Sequence, residues 1–192
     1  MIQHLKRPIA LLITGAALTA GAASAADYAI DGAHSSAIFR IKHFNTANFY
    51  GAFKDVSGSL TYDAANPGAS SIQVEIKAES VDSRISGRDD HIKSPDFLNA
   101  KEFPTITFQS TKVTAKGDDL EVTGNLKMLG RSQEITFTAV KTGEGTNPRS
   151  QKEIIGFEAQ FTVDRTQHGM TNMVGPLSKE IGFILAIEAA KQ

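Results

Sequence analysis

A period of two runs through most of this chain and limits its possible folds more than any other feature. Ala37, Phe39, Ile41 and His43 alternate with Ile38, Arg40, Lys42 and Phe44. Ile72, Val74, Ile76 and Ala78 alternate with Gln73, Glu75 and Lys77. The same rhythm carries Leu120, Val122, Gly124, Leu126 and Met128, then Ile135, Phe137 and Ala139, then Ile155, Phe157, Ala159, Phe161 and Val163. Successive side chains of a strand point to opposite faces, so each run builds a sheet with one apolar and one wet face. Turn chemistry separates the runs at Asn66-Pro67-Gly68, Lys116-Gly117-Asp118-Asp119 and Leu129-Gly130-Arg131-Ser132, with a longer loop expected from Gly143 to Pro148. About eight strands follow, near residues 30–43, 48–63, 70–82, 104–115, 118–128, 132–143, 153–164 and 178–190. The last run also suits a helix; the alternation of Ile181, Phe183, Leu185 and Ile187 favours a strand.

One stretch breaks the rhythm. Ser86 to Leu98 shows no alternation, and Ser86 can cap a short helix carrying Asp89 and Asp90 in its first turn, with Pro95 to end it. This places one short helix between the third and fourth strands. Meandering strands at hairpin spacing favour an eight-stranded antiparallel barrel over a sandwich, because closure removes exposed edges. A barrel of this size is either filled by side chains or holds one small ligand. Small inward positions at Ala37, Gly51, Ala78, Gly124, Ala139 and Ala159 leave both outcomes open, since they also make room for the phenylalanines.

The first 25 residues are a separate object. Lys6 and Arg7 precede an uncharged run from Ile9 to Ala23, and Ala23-Ser24-Ala25 supplies small residues before a cut. That is the order of a cleaved secretory signal, with 26–192 as the mature domain, and the run is weak for a membrane span. The expected destination is the periplasm, with no transmembrane span in the mature chain. The chain has no cysteine, so no disulfide holds it together and no thiolate metal site exists. A formal net charge of -1 argues against nucleic acid as a partner.

Further along, residues gather that are similar to one known family. They are Ser80-Val81-Asp82-Ser83, the run Arg88-Asp89-Asp90-His91-Ile92-Lys93-Ser94-Pro95-Asp96-Phe97-Leu98, and Phe103-Pro104-Thr105-Ile106-Thr107-Phe108. Val122-Thr123-Gly124-Asn125-Leu126, Gly156-Phe157-Glu158-Ala159 and Gln167-His168-Gly169-Met170 follow in order. The chain resembles the YceI-like family from about Tyr28 to Ala189, departing at His168, where the family more often has an aromatic residue before Gly-Met. The resemblance implies a lipocalin-like barrel with a long internal pocket for a polyisoprenoid chain or another long-chain lipid. That lipid is the only bound group expected; no cofactor is.

The residues expected to line such a pocket are Phe39, Ile41, Phe53, Val74, Ile76, Ile106, Phe108, Leu126, Phe137, Phe157, Phe161 and Phe183. Arg88 and His91 are candidates for the headgroup, since a guanidinium suits phosphate. The plainer view of Arg88, Asp89 and His91 is a capped helix plugging the barrel, with Arg88 paired to a buried acid. Phe97, Leu98 and Phe103 read as a lid or, more simply, a cluster sealing the barrel. Met170, Met173, Val174 and Leu177 form an apolar loop suited to an irregular entrance or to ordinary packing. His34, His43, His91 and His168 show no metal-ligand spacing. Ser35-Ser36 beside His34 lacks the orienting group and oxyanion donors of a nucleophilic site, so a non-enzymatic protein is expected. The competing reading is an interaction module with a filled core that works through its outer face, as a partner of a membrane redox protein or as a homodimer.

Overall fold

A computed structural model describes residues 25–192; the expected signal segment lies outside the described residues. The alternating runs become strands β1 (Ala26–Ile30), β2 (Ser36–His43), β3 (Ala47–Phe53), β4 (Val56–Tyr62), β5 (Ser71–Lys77) and β6 (Val81–Asp82). After the helix α1 (Ser86–Lys93) come β7 (Thr105–Lys116), β8 (Asp119–Met128), β9 (Arg131–Thr146), β10 (Glu153–Asp164) and β11 (Leu177–Lys191). Strands β1-β4-β5-β7-β8-β9-β10-β11 pair in that order, and β1 also pairs with β11, so eight strands close an antiparallel barrel.

The helix follows the sixth strand, not the third as the sequence pattern suggests. The reason lies in two bends and in the 3-10 turn that parts β5 from β6. β11 pairs with β2 from His43↔Leu177 to Ser36↔Ala186, then with β1 from Ile30↔Ala189 to Tyr28↔Lys191. On their other sides β2 takes β3 and β1 takes β4. One long run of sequence therefore serves as two strands, broken at Asp31 to Ser35, and its partner breaks at Lys54-Asp55. Gly32 sits at the first bend, where a Cβ would stand 2.6 Å from the Val56 carbonyl oxygen, so the backbones meet there only because no side chain intervenes.

Beyond β5 the chain leaves the ring through a 3-10 turn and β6, which pairs with β3 alone. α1 and residues 94–104 follow at this side of the barrel, rejoining β5 where the Ala78 amide donates to the Pro104 carbonyl at 2.9 Å. Ser86 is the first helical residue rather than the cap; Ile85 occupies the cap position and no side chain caps it. The turn at Leu129-Gly130 has both residues at positive φ, 52° and 72°, the two-residue hairpin geometry whose twist matches the flanking strands. The expected loop at Gly143 is instead strand: β9 runs on to Thr146, with Gly143↔Gly156 and Gly145↔Ile154 in register. Glycines interrupt the side-chain rhythm without interrupting the backbone ladder. β11 is a strand throughout, and its buried residues Ile181, Phe183 and Ala189 pack in the barrel core.

Candidate ligand-binding site

Inward side chains from the strands enclose two adjoining cavities. The larger, about 420 Å³, opens at the end of the barrel covered by α1. β2 and β3 supply Phe39, Ile41, Phe49 and Phe53; α1 supplies Arg88, His91 and Ile92; and Phe97, Leu98, Met128, Met170, Met173, Leu177 and Ile181 complete the wall. The smaller, about 60 Å³, lies deeper among Val74, Ile76, Phe108, Leu126, Phe137, Phe157 and Phe161, beside Ala37, Ala139 and Ala159. Ile106 and Phe183 face both.

All fourteen residues expected from sequence thus border one space or the other. The interior is nevertheless not a uniform tunnel. Phe108, Phe137, Phe161 and Phe183 form a ladder across β7, β9, β10 and β11, with successive centroids 5.2, 5.0 and 5.5 Å apart. The ladder packs the deep half and leaves the outer half hollow. The small residues serve the rings as well: Phe39 lies over Gly51, where a Cβ would come within 2.5 Å of its Cε1, and Phe108 likewise covers Gly124. Sequence reasoning passed over Phe49, Ile92, Met128 and Ile181 as lining residues, and gave Met170, Met173 and Leu177 only as an apolar loop suited to an entrance or to ordinary packing. Phe49 and Met128 carried a usable signal, being inward members of the same alternation as Phe53 and Leu126.

β2 and β3 bring His43 and Asn48 to the chamber wall, and α1 brings Arg88 and His91. Arg88 is half-buried and has no carboxylate partner among the described residues. Its Nε donates to Ser83 Oγ at 2.9 Å, its Nη2 donates to the Ser83 carbonyl at 2.6 Å, and its guanidinium lies 4.2 Å over the Phe49 centroid. The buried-acid pairing expected for Arg88 is therefore absent. Asp89 instead accepts from the amide and hydroxyl of Ser83, which fixes the start of the helix. His91 is exposed, pairs with Asp96 at 2.9 Å and meets the edge of Phe97 at 5.0 Å. Phe97 and Leu98 are buried against the chamber, while Phe103 lies on the outer side of the same segment.

Arg165 had no functional assignment from sequence and is fully buried. Its Nε donates to the Ser178 carbonyl, and its Nη1 to the carbonyls of Met170 and Asn172, each at 2.8 Å. Burial pushes its pKa below the ordinary guanidinium value. One side chain thereby ties down the loop that carries Met170 and Met173 to the chamber. His43 and His91 both border the chamber, but the described histidines form no shared metal-ligand cluster. His34 joins Asp31 and Glu188 on the outside of the barrel, the one trio of potential metal ligands close together among the described residues, and it is already hydrogen-bonded to Asp31 at 2.8 Å.

These features define a class: a closed antiparallel barrel of eight strands with, among the described residues, one α-helix and an apolar chamber at one end. The chain belongs to the YceI-like domain family, which it matches over residues 28–189. A relative from Pseudomonas aeruginosa, a UPF0312 protein, is 42% identical over 191 residues, covering 98% of this chain and all of its own. Among solved structures, BcnA of Burkholderia cenocepacia superposes with a TM-score of 0.75 at 22% identity, covering 83% of this chain and 98% of its own. A polyisoprenoid binding domain from Saccharophagus degradans, implicated in plant cell wall breakdown, superposes with a TM-score of 0.64 at 13% identity, covering 86% of this chain and 98% of its own.

Proposed function

We propose that this chain is an exported, periplasmic carrier or sequestering protein for a polyisoprenoid or similar long-chain lipid, released from its signal segment after Ala25. The observation that carries this reading is the 420 Å³ apolar chamber with the unpaired cation of Arg88 on its wall. That volume falls in the range of about 300–1,000 Å³ typical of small-molecule sites. Each CH₂ buried from water contributes about 0.8 kcal/mol, so a chain held by phenylalanines, isoleucines and methionines needs few polar contacts. Arg88 keeps Nη1 available, which suits a phosphate or carbonyl headgroup at the end of such a chain. The ligand named for the Saccharophagus domain, which shares the fold, supports the same chemistry. The reading is of a binder rather than a catalyst: Asp89 is committed to Ser83, and His91 to Asp96. The filled-barrel alternative describes only the inner half, where the phenylalanine ladder stands.

Native mass spectrometry of protein released from the periplasm without detergent tests both parts. A chain beginning at Ala26 with a lipid adduct, recovered again by organic extraction, is the expected result. A bare polypeptide with no extractable lipid overturns the carrier reading, and a chain retaining residues 1–25 overturns the export reading.

A further inference from the structure

Sulfur in this chain gathers in one place. The sequence has no cysteine and four methionines, Met1, Met128, Met170 and Met173. Met1 lies outside the described residues, and the other three all border the 420 Å³ chamber. The deeper cavity has none: its wall is phenylalanine, leucine, isoleucine, valine, alanine and Thr107. With no cysteine and no tryptophan in the chain, thioethers are its most readily oxidised side chains. The oxidisable part of the barrel is therefore the outer half of its ligand space.

Burial grades the three methionines. Met128 is 1% exposed and Met170 5%, whereas Met173 is 40% exposed. Met173 also borders a second hollow, the open cleft outside the barrel that Asn99, Arg131 and His168 line. Its side chain thus belongs to the apolar wall on one side and is reached from water on the other.

The backbone holds it there. Met173 stands in left-handed conformation at φ 51°, and its carbonyl accepts from the Leu177 amide at 2.9 Å. Arg165 Nη1 clamps the carbonyls of Met170 and Asn172 just before it. A bulky residue keeps such a backbone only where its surroundings enforce it. A side chain altered at this position withdraws from the wall by a swing of the loop only if those bonds break.

We propose that Met173 is an oxidation site and that its sulfoxide loosens the chamber's hold on the lipid. A peroxide is the oxidant. The thioether sulfur attacks one oxygen of hydrogen peroxide; a sulfur–oxygen bond forms and the peroxide O–O bond breaks. Sulfur gives up two electrons, and the second oxygen leaves as water after taking the proton that the transferred oxygen carried. The product is a polar hydrogen-bond acceptor. A hydrocarbon chain offers it no donor, so lipid binding would strip the sulfoxide of water without replacing the lost hydrogen bonds. Met128 and Met170 stay reduced behind it. The inference rests on the lipid-carrier reading and adds a control to the same chamber.

Peroxide titration of the purified protein tests it, followed by peptide mass mapping and by binding of a dansyl-tagged prenyl alcohol. Met173 should gain one oxygen before Met128 or Met170 does, and affinity for the probe should fall about ten-fold in step. The urea unfolding midpoint should hold, and methionine sulfoxide reductases should restore binding. M173L keeps the apolar volume, so it should bind like untreated wild type and ignore the same dose of peroxide. M173Q puts a polar amide in the place of the sulfoxide and should bind weakly before any treatment. Oxidation that strikes Met128 or Met170 first, M173L that stays as sensitive as the wild type, or Met173 sulfoxide that binds the probe unchanged overturns the proposal. So does a loss of binding that only follows unfolding. Failure of the carrier reading looks different: untreated wild type then neither binds the probe nor yields lipid on extraction, and both readings fall together.

Discussion

Phe161 lies flat against Phe183, with ring centroids 5.5 Å apart and planes 22° from parallel, and Phe183 borders both cavities. This contact is the partition between the hollow and the packed half of the barrel. Phe183→Ala should join the two spaces. Truncating a buried phenylalanine costs about 3–5 kcal/mol, because the cavity only partly collapses. Denaturant unfolding should show that loss, and native mass spectra should show a heavier or longer bound chain. A full loss of stability with the same ligand mass would show that the ladder does not limit chain length.

Arg88 makes a different prediction, because its cation is held by Ser83 and Phe49 rather than by a carboxylate. Arg88→Met should weaken a phosphate-ended prenyl chain by roughly ten- to a hundred-fold, matching about 1.5–3 kcal/mol for hydrogen bonds to a charged group. The corresponding prenyl alcohol should lose little. Competition against a fluorescent lipid measures both, with Ser83→Ala as the control for the helix anchor. Equal losses for phosphate and alcohol would remove Arg88 from headgroup binding.

The barrel was readable because one face of each strand is wet, and that face writes its period into the sequence. Which side chains point inward followed directly, and hence the twelve strand residues among the fourteen around the two cavities. How full the interior is did not follow. Period fixes the face a residue occupies but not the rotamers by which Phe137 and Phe161 stack at 5.0 Å. The bends at Asp31 to Ser35 and at Lys54-Asp55 were hidden because the alternation resumes beyond them. Gly143 and Gly145 read as loop because they carry no side chain to mark a face. Arg165 gave no signal at all, since a charged residue just past a strand ordinarily belongs to the surface.

Burial makes Arg165 the most consequential single side chain of the entrance loop. Its three bonds bring the carbonyls of Met170, Asn172 and Ser178 to one guanidinium. Arg165→Ala leaves those acceptors to find other partners, and each buried group left unsatisfied costs about 1–3 kcal/mol. A loss of about 3 kcal/mol or more is expected in urea unfolding, with hydrogen exchange accelerating across residues 169–178. Arg165→Lys should recover only part, because an ammonium lacks the planar fork that spans three carbonyls. Unchanged exchange in that loop would show that something else holds it.

His34 offers a test by pH. Its hydrogen bond to Asp31, with help from the charges of Asp31 and Glu188, raises its pKa above the ordinary 6.5. The same hydrogen bond, together with one from the Ala33 amide, lowers Asp31 below its ordinary 3.8. A raised histidine pKa means that protonation favours the folded state. Its contribution is fully present below about pH 6.5 and is lost as pH rises through the folded-state value. The lowered carboxylate works from the other side: its contribution is present above about pH 3.8 and is lost as pH falls through the depressed value. The pair therefore acts in the window between the two folded-state values, and since His34 is exposed and Asp31 about a third exposed its effect is small. Titration of the His34 ring by NMR should give a midpoint above 6.5 in the wild type, moving back toward 6.5 in Asp31→Asn. A wild-type midpoint at or below 6.5 would mean that the 2.8 Å contact between His34 and Asp31 does not persist in solution.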